Sequence, residues 1–211
     1  MVKNIADTQP HRILSHFPNI AYNIVAIGAS AGGQEPLIQI LSALPADFPA
    51  AIVVVQHMNP AYNSHLAEIL SRYTALQVEP AKSGSVLRPG TVYTYVPNRH
   101  LAIDANGRLC LLEQPKMNFV RPSVDKLFMS VGVNYGLRAI SVVLSGLGRD
   151  GALGTRAIKK YGGITIAQDE TTSEYFCMPK AAIDTQKVDF VLATKAIANK
   201  LMSLVMAELA A

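Results

Sequence analysis

The sequence predicts an α/β fold of three layers, with a doubly wound, mostly parallel sheet and an antiparallel β-hairpin extension. Runs that are apolar on both faces recur at residues 24–27, 52–55 and 140–144, as in strands covered by helices on two sides. Segments with a helical apolar period lie between them. No internal repeat or linker-like stretch interrupts the alternation, so one domain built from strand–helix units is the economical solution.

Residues 1–19 are polar and broken by Pro10 and Pro18, and residues 1–21 read as an irregular tail. The folded part is expected over residues 22–211. The first strand runs into Gly28-Ala29-Ser30-Ala31-Gly32-Gly33. A helix follows, with Leu37, Ile38, Leu41 and Leu44 on one face. The second strand ends in Gln56-His57. Residues 91–96 are β-rich, and residues 101–112 read as a hairpin around Asn106-Gly107, where glycine supplies a positive φ. Together they look like an antiparallel extension of the sheet. Ser123 follows Pro122 as the N-cap of a helix carrying Val124, Leu127, Phe128, Val131 and Tyr135. The third buried strand ends in the glycine-rich loop 145–151. The next helix should stop at Gly162-Gly163, before a strand at 164–167. The last helix carries Ile197, Leu201, Leu204, Val205 and Leu209.

Composition narrows the function. Half the residues are apolar and 16% are charged, which excludes a disordered chain. The longest apolar run, at about 50–55, is far short of the ~20 residues of a membrane span, and no secretory signal opens the chain. Membrane insertion is not expected. Cys110 and Cys177 are too few for a disulfide framework and lack metal-ligand spacing. No metal or cofactor is expected, and a reducing, cytoplasmic compartment is the simpler reading. The net charge of +4 comes without a dense basic block, which suits an acidic partner surface better than nucleic acid.

The chemistry concentrates at strand ends. Residues 28–32 read as G-x-S-x-G, a serine on a tight strand-to-helix turn. They also read as a dinucleotide fingerprint whose middle glycine is replaced by Ser30, where a side chain would obstruct approach to a pyrophosphate. His57 leaves the second strand and Asp150 leaves the third. Taken singly, these are a turn serine, a loop-bonding histidine and a helix-capping aspartate. In a parallel sheet they share one edge, as a Ser-His-Asp triad requires. Ser30 would be the nucleophile, His57 the base and Asp150 the group that orients the imidazole. Backbone amides at Ala31 and Leu147 are oxyanion candidates, and Arg149 and Arg99 are candidates for contact with substrate. The order Ser, His, Asp differs from that of α/β-hydrolases, and no HGGG-type segment is present. Asp169 and Asp125 compete for the acid's role. His100 reads as loop packing, His65 as helix surface, and Tyr93 and Tyr95 as core. A docking module without turnover and a nucleotide binder remain open on the residues alone.

IVAIGASAGG at 24–33, VVVQHM around His57, LSGLGRDGALG around Asp150 and IAQDETTSEYFCMPKAAI at 166–183 together resemble the catalytic domain of chemoreceptor protein-glutamate methylesterases, the CheB family. The likeness runs over nearly the whole chain. It extends to the esterase part of fused methylesterase–methyltransferase proteins. It implies hydrolysis of glutamate γ-methyl esters on chemoreceptor helices with release of methanol, and deamidation of selected receptor glutamines. The family's nucleophile, base and acid fall on Ser30, His57 and Asp150. The expected partners are cytoplasmic helices of methyl-accepting chemoreceptors and a fused or separate methyltransferase or receiver domain. Residues 1–21 are too few to hold a receiver. Three positions depart from the family pattern: Ala31 in place of threonine, Leu147 in place of methionine, and Cys177 in place of a glycine. The last raises the question of whether that backbone needs a positive φ.

Overall fold

The computed structural model describes residues 23–58 and 64–207. The tail expected over 1–21 and the final position of the last helical stripe, Leu209, lie outside them.

Strands β1 (Asn23–Ala29) and β2 (Ala50–Gln56) are buried at every position, which their Val, Ile and Ala side chains allow. They sit in a seven-stranded sheet ordered β3-β4-β2-β1-β7-β8-β9, in which every pairing is parallel. The other members are β3 (Gln77–Pro80), β4 (Thr91–Thr94), β7 (Ala139–Val143), β8 (Ile164–Gln168) and β9 (Phe190–Leu192). Helices α1 (Gln34–Ser42) and α2 (Leu66–Ser71) follow β1 and β2. Helices α3 (Val124–Tyr135), α4 (Ala152–Lys160), α5 (Cys177–Ile183) and α6 (Thr194–Ala207) serve the second half of the sheet. Contacts of α1 with α6 and of α3 with α4 build the helical layers. Strand order reverses at β1, which has β2 on one side and β7 on the other. Open α/β sheets form their binding crevice at the carboxyl end of such a strand.

The predicted hairpin is present as β5 (His100–Ile103) and β6 (Leu109–Leu112), with Gly107 at φ +66°. It forms a separate two-stranded sheet and does not continue the parallel one. Residues 91–94, taken in the sequence as part of that extension, pair in parallel with β2 and β3. The reason is local. The Ile103 amide donates to Ser130 Oγ at 3.1 Å, and Asn134 Nδ2 donates to the Ile103 carbonyl at 2.9 Å. Side chains of α3 thus satisfy the outer edge of β5, while Leu101, Ile103 and Leu109 are buried in the core.

One close approach fixes how α3 packs on β1. A Cβ on Gly28 would lie 2.2 Å from Val124 Cγ1. Only glycine there lets the first turn of α3 rest on β1.

Candidate active site

Ser30, His57 and Asp150 leave the carboxyl ends of β1, β2 and β7, three adjacent strands. Residues Ala29 and Gln56 close the β1–β2 ladder. Past it, the His57 amide donates to the Ala29 carbonyl at 3.0 Å, and the Ser30 amide donates to the Ser145 carbonyl at 3.0 Å. Main-chain bonds therefore carry the sheet's register into the loops that hold these side chains.

His57 Nε2 and Asp150 Oδ2 are 2.8 Å apart. With Nε2 carrying the proton, Nδ1 holds the ring's lone pair. Ser30 and His57 line a common cleft of about 470 Å³ with Ala31, Gln56 and Glu174. Among the described residues Ser30 Oγ and His57 are not joined by a hydrogen bond. Such contacts shorten when a substrate is bound. A second cleft of about 460 Å³ meets the first at His57 and is lined by Asp150, Leu147, Arg149 and Leu153.

Asp150 is held by four donors. Its Oδ1 accepts from Ser123 Oγ at 2.9 Å and from the Asp125 amide at 2.9 Å. Its Oδ2 accepts from the Val124 amide at 2.6 Å besides His57. Burial pushes this carboxyl up, but the bond from His57 and the amides of Asp125 and Val124 outweigh it and hold the pKa below the usual range. Asp150 is therefore an anion, and it sits at the amino end of α3, where the helix dipole favours one. It does not cap its own helix. Gly151 stands at the N-cap of α4, and the amide donors of Gly151 and Gly154 go to Asp125 Oδ1 at 2.9 and 2.7 Å. The two aspartates thus exchange helices, each accepting from the amino end of the other's.

Asp125 is fully buried. Burial raises its carboxyl to about 6, against the lowering effect of the Gly154 and Gly151 amides and with help from the Asp150 charge. It faces Gly151, Gly154 and Asn118, not His57, so it is not the acid of the trio. Asp169 is also elsewhere. It bonds Thr171 and Thr172 in the loop after β8.

The remaining candidates separate clearly. Among the described residues the Ala31 and Gly32 amides have no acceptor, and both residues line the Ser30 cleft. Leu147 lines the Asp150 cleft and is 54% exposed. Arg149 lies beside it. Arg99 lines neither cleft; it pairs with Glu113. His100 is buried and bonded to the Pro115 carbonyl, as loop packing requires, and His65 pairs with Glu68 on the surface. Tyr93 and Tyr95 are in the core. Cys177 opens α5 and is not among the positive-φ residues, so its replacement of glycine introduces no strain. Both cysteines are free. No helix among the described residues is long and apolar enough to cross a membrane.

Sequence reasoning missed Ser123, Ser145 and Gln168 as supports. Ser145 Oγ donates to the Ala31 carbonyl at 2.9 Å, and Gln168 Oε1 accepts from the Ser145 amide at 2.8 Å. The loops bearing Ser30 and Asp150 are tied together through these two side chains. Ser123 was legible as an N-cap, and it is one, accepting from the Lys126 amide at 3.3 Å. Its second role needs the packed structure.

Residues 25–201 match the family described as CheB methylesterase. A protein from Burkholderia lata named protein-glutamate methylesterase/protein-glutamine glutaminase 2 is 47% identical over 180 residues, covering 85% of this chain and 53% of its own length. A protein-glutamate methylesterase/protein-glutamine glutaminase from Moorella thermoacetica is 41% identical over 186 residues, 86% of this chain and 44% of its own. The chain thus spans about half the length of the curated relatives it matches. The crystal structure of the Thermotoga maritima CheB methylesterase catalytic domain superposes with a TM-score of 0.83 at 40% identity, covering 86% of this chain and 98% of that one. By its sequence match, and by a shared fold carried to the edge where Ser30, His57 and Asp150 meet, the chain belongs to the CheB methylesterase family.

Proposed function

We propose that residues 22–211 form a catalytic unit that hydrolyses glutamate γ-methyl esters on cytoplasmic helices of chemoreceptors, releasing methanol. The same site deamidates selected glutamines. The observation that carries this reading is the 2.8 Å His57–Asp150 contact beside Ser30 at the switch point of the sheet. The names of the relatives support the pair of activities.

Ser30 Oγ attacks the ester carbonyl carbon while His57 Nδ1 takes its proton. The negative charge that develops on the carbonyl oxygen falls to the amides of Ala31 and Gly32 at the start of α1, which have no acceptor among the described residues. Because these donors are main-chain groups, alanine in place of threonine at position 31 leaves them intact. The imidazolium returns its proton to the methoxy oxygen, and methanol leaves. Water, deprotonated by His57, then attacks the acyl-serine and releases the glutamate carboxylate. Asp150, fixed as an anion by α3, stabilises the imidazolium in both halves and holds the ring in one tautomer. For a glutamine the leaving group is ammonia. Control through a receiver or methyltransferase domain, fused or separate, completes the proposal.

Methanol release from a glutamate-methylated chemoreceptor fragment tests it. Ser30→Ala is expected to fold normally and to lose activity by about 10⁴-fold or more. A variant that keeps turning over overturns the role of Ser30.

A further inference from the structure

Beside the His57 cleft stands a feature that the catalytic steps do not use. Residues Met117 and Val120 bond each other across a tight turn, at 3.1 and 3.0 Å. The two central residues, Asn118 and Phe119, have φ of +48° and +68°. Neither is glycine, and a left-handed backbone costs a residue with a side chain about 1–2 kcal/mol. The strain holds out an aromatic ring: Phe119 is 94% exposed. Leu147 and Leu153 are also exposed in the cleft lined by Asp150, and Met58 in a smaller pocket that His57 also lines. The pocket between the turn and His57, about 100 Å³, is walled by Met58, Phe119, Lys116 and Arg121. Lys116 and Arg149 are exposed and have no acidic partner among the described residues.

We infer that Phe119 is the substrate-docking knob of this enzyme. It inserts into the apolar stripe of an acidic, amphipathic helix and so presents that helix's glutamyl ester to Ser30. The inference rests on the esterase reading above. Three observations select this occupant. The knob adjoins the histidine that handles the reacting proton, so whatever covers it lies against the scissile group. Lys116 lines the same pocket with no acidic partner among the described residues, and the unmodified glutamates of an acidic helix, ionised beside the neutral ester, supply the opposite charge. An isolated exposed aromatic held at a cost in backbone strain is the arrangement of an interface anchor. Asn118 also reaches Asp125 Oδ2, at 3.4 Å, which ties the turn to the carboxylates beneath the site.

Steady-state methanol release from a glutamate-methylated chemoreceptor fragment, read together with thermal melting, tests the assignment. Phe119→Gly removes the ring and relieves the strain. It is expected to raise the melting temperature by about 2–4 °C. It should also raise KM by about tenfold or more, with kcat within about threefold, as expected when a contact made equally in ground and transition states is lost. Phe119→Leu should fall between. A purely structural residue would not make the protein more stable and its docking weaker together. With wild type active, an unchanged KM overturns the inference and leaves the knob to a neighbouring domain or a second copy of the chain. No methanol from wild type overturns the esterase reading and this assignment with it.

Discussion

At the scale of single residues the site depends on two buried aspartates that differ in charge preference. Asp150 is held as an anion by His57, Ser123 and the amides of α3. Asp125, in contact with the same segment, is raised to about 6 by burial. Between the ordinary carboxylate value of 3.8 and about 6 the native protein keeps a proton on Asp125 that the unfolded chain has lost. Stability from this group therefore falls as pH rises through that window. Relative to Asp125→Asn, wild type should gain about 1 kcal/mol in urea unfolding on going from pH 7.5 to pH 5. A difference that does not vary with pH contradicts the raised pKa. Ser123→Ala removes both a cap and a donor to Asp150. We expect a loss of about 1 kcal/mol in stability, and a drop in kcat larger than any change in KM. None of this exchange was visible in the sequence, because Asp150 looked like the cap of its own helix and Asp125 like a first-turn carboxylate of a helix capped by Ser123. Which helix a carboxylate caps depends on packing between α3 and α4, and no local pattern encodes that.

At the scale of elements, what could be read followed burial. Strands β1, β2 and β7 are apolar on both faces and stand out in any window of the sequence. Strand β3 is half exposed and polar, and β9 has three residues, so neither carries a periodic signal. The hairpin was legible from Asn106-Gly107, but its place was not. Side chains of Ser130 and Asn134 on α3 complete β5, where a neighbouring strand was expected. The contact of Gly28 with α3 makes a further prediction. Gly28→Ala should cost about 1–3 kcal/mol through overpacking, and adding Val124→Ala should recover part of it. Denaturant midpoints of the two single variants and the double variant report this directly. Additive losses would contradict a direct clash between positions 28 and 124. Phe119 marks the opposite limit of sequence reading. An aromatic residue between Asn118 and Val120 looks like any core residue until the turn that exposes it is built.

For the whole molecule, the three candidate residues could be picked out because each follows a recognisable buried strand, and the parallel sheet brings those strand ends to one edge. Strand order places β1 between β2 and β7, so Ser30, His57 and Asp150 emerge side by side from segments far apart in the chain. The match to the family spans residues 25–201. The central claim is that Ser30 is an activated nucleophile whose activation comes from His57 and Asp150. Labelling with a fluorophosphonate, followed by peptide mass spectrometry, measures this most directly. The account predicts a single adduct on Ser30, formed at a rate that Asp150→Asn lowers by about 10³–10⁴-fold. An adduct on another residue, no adduct, or an unchanged rate in the Asn variant would contradict it.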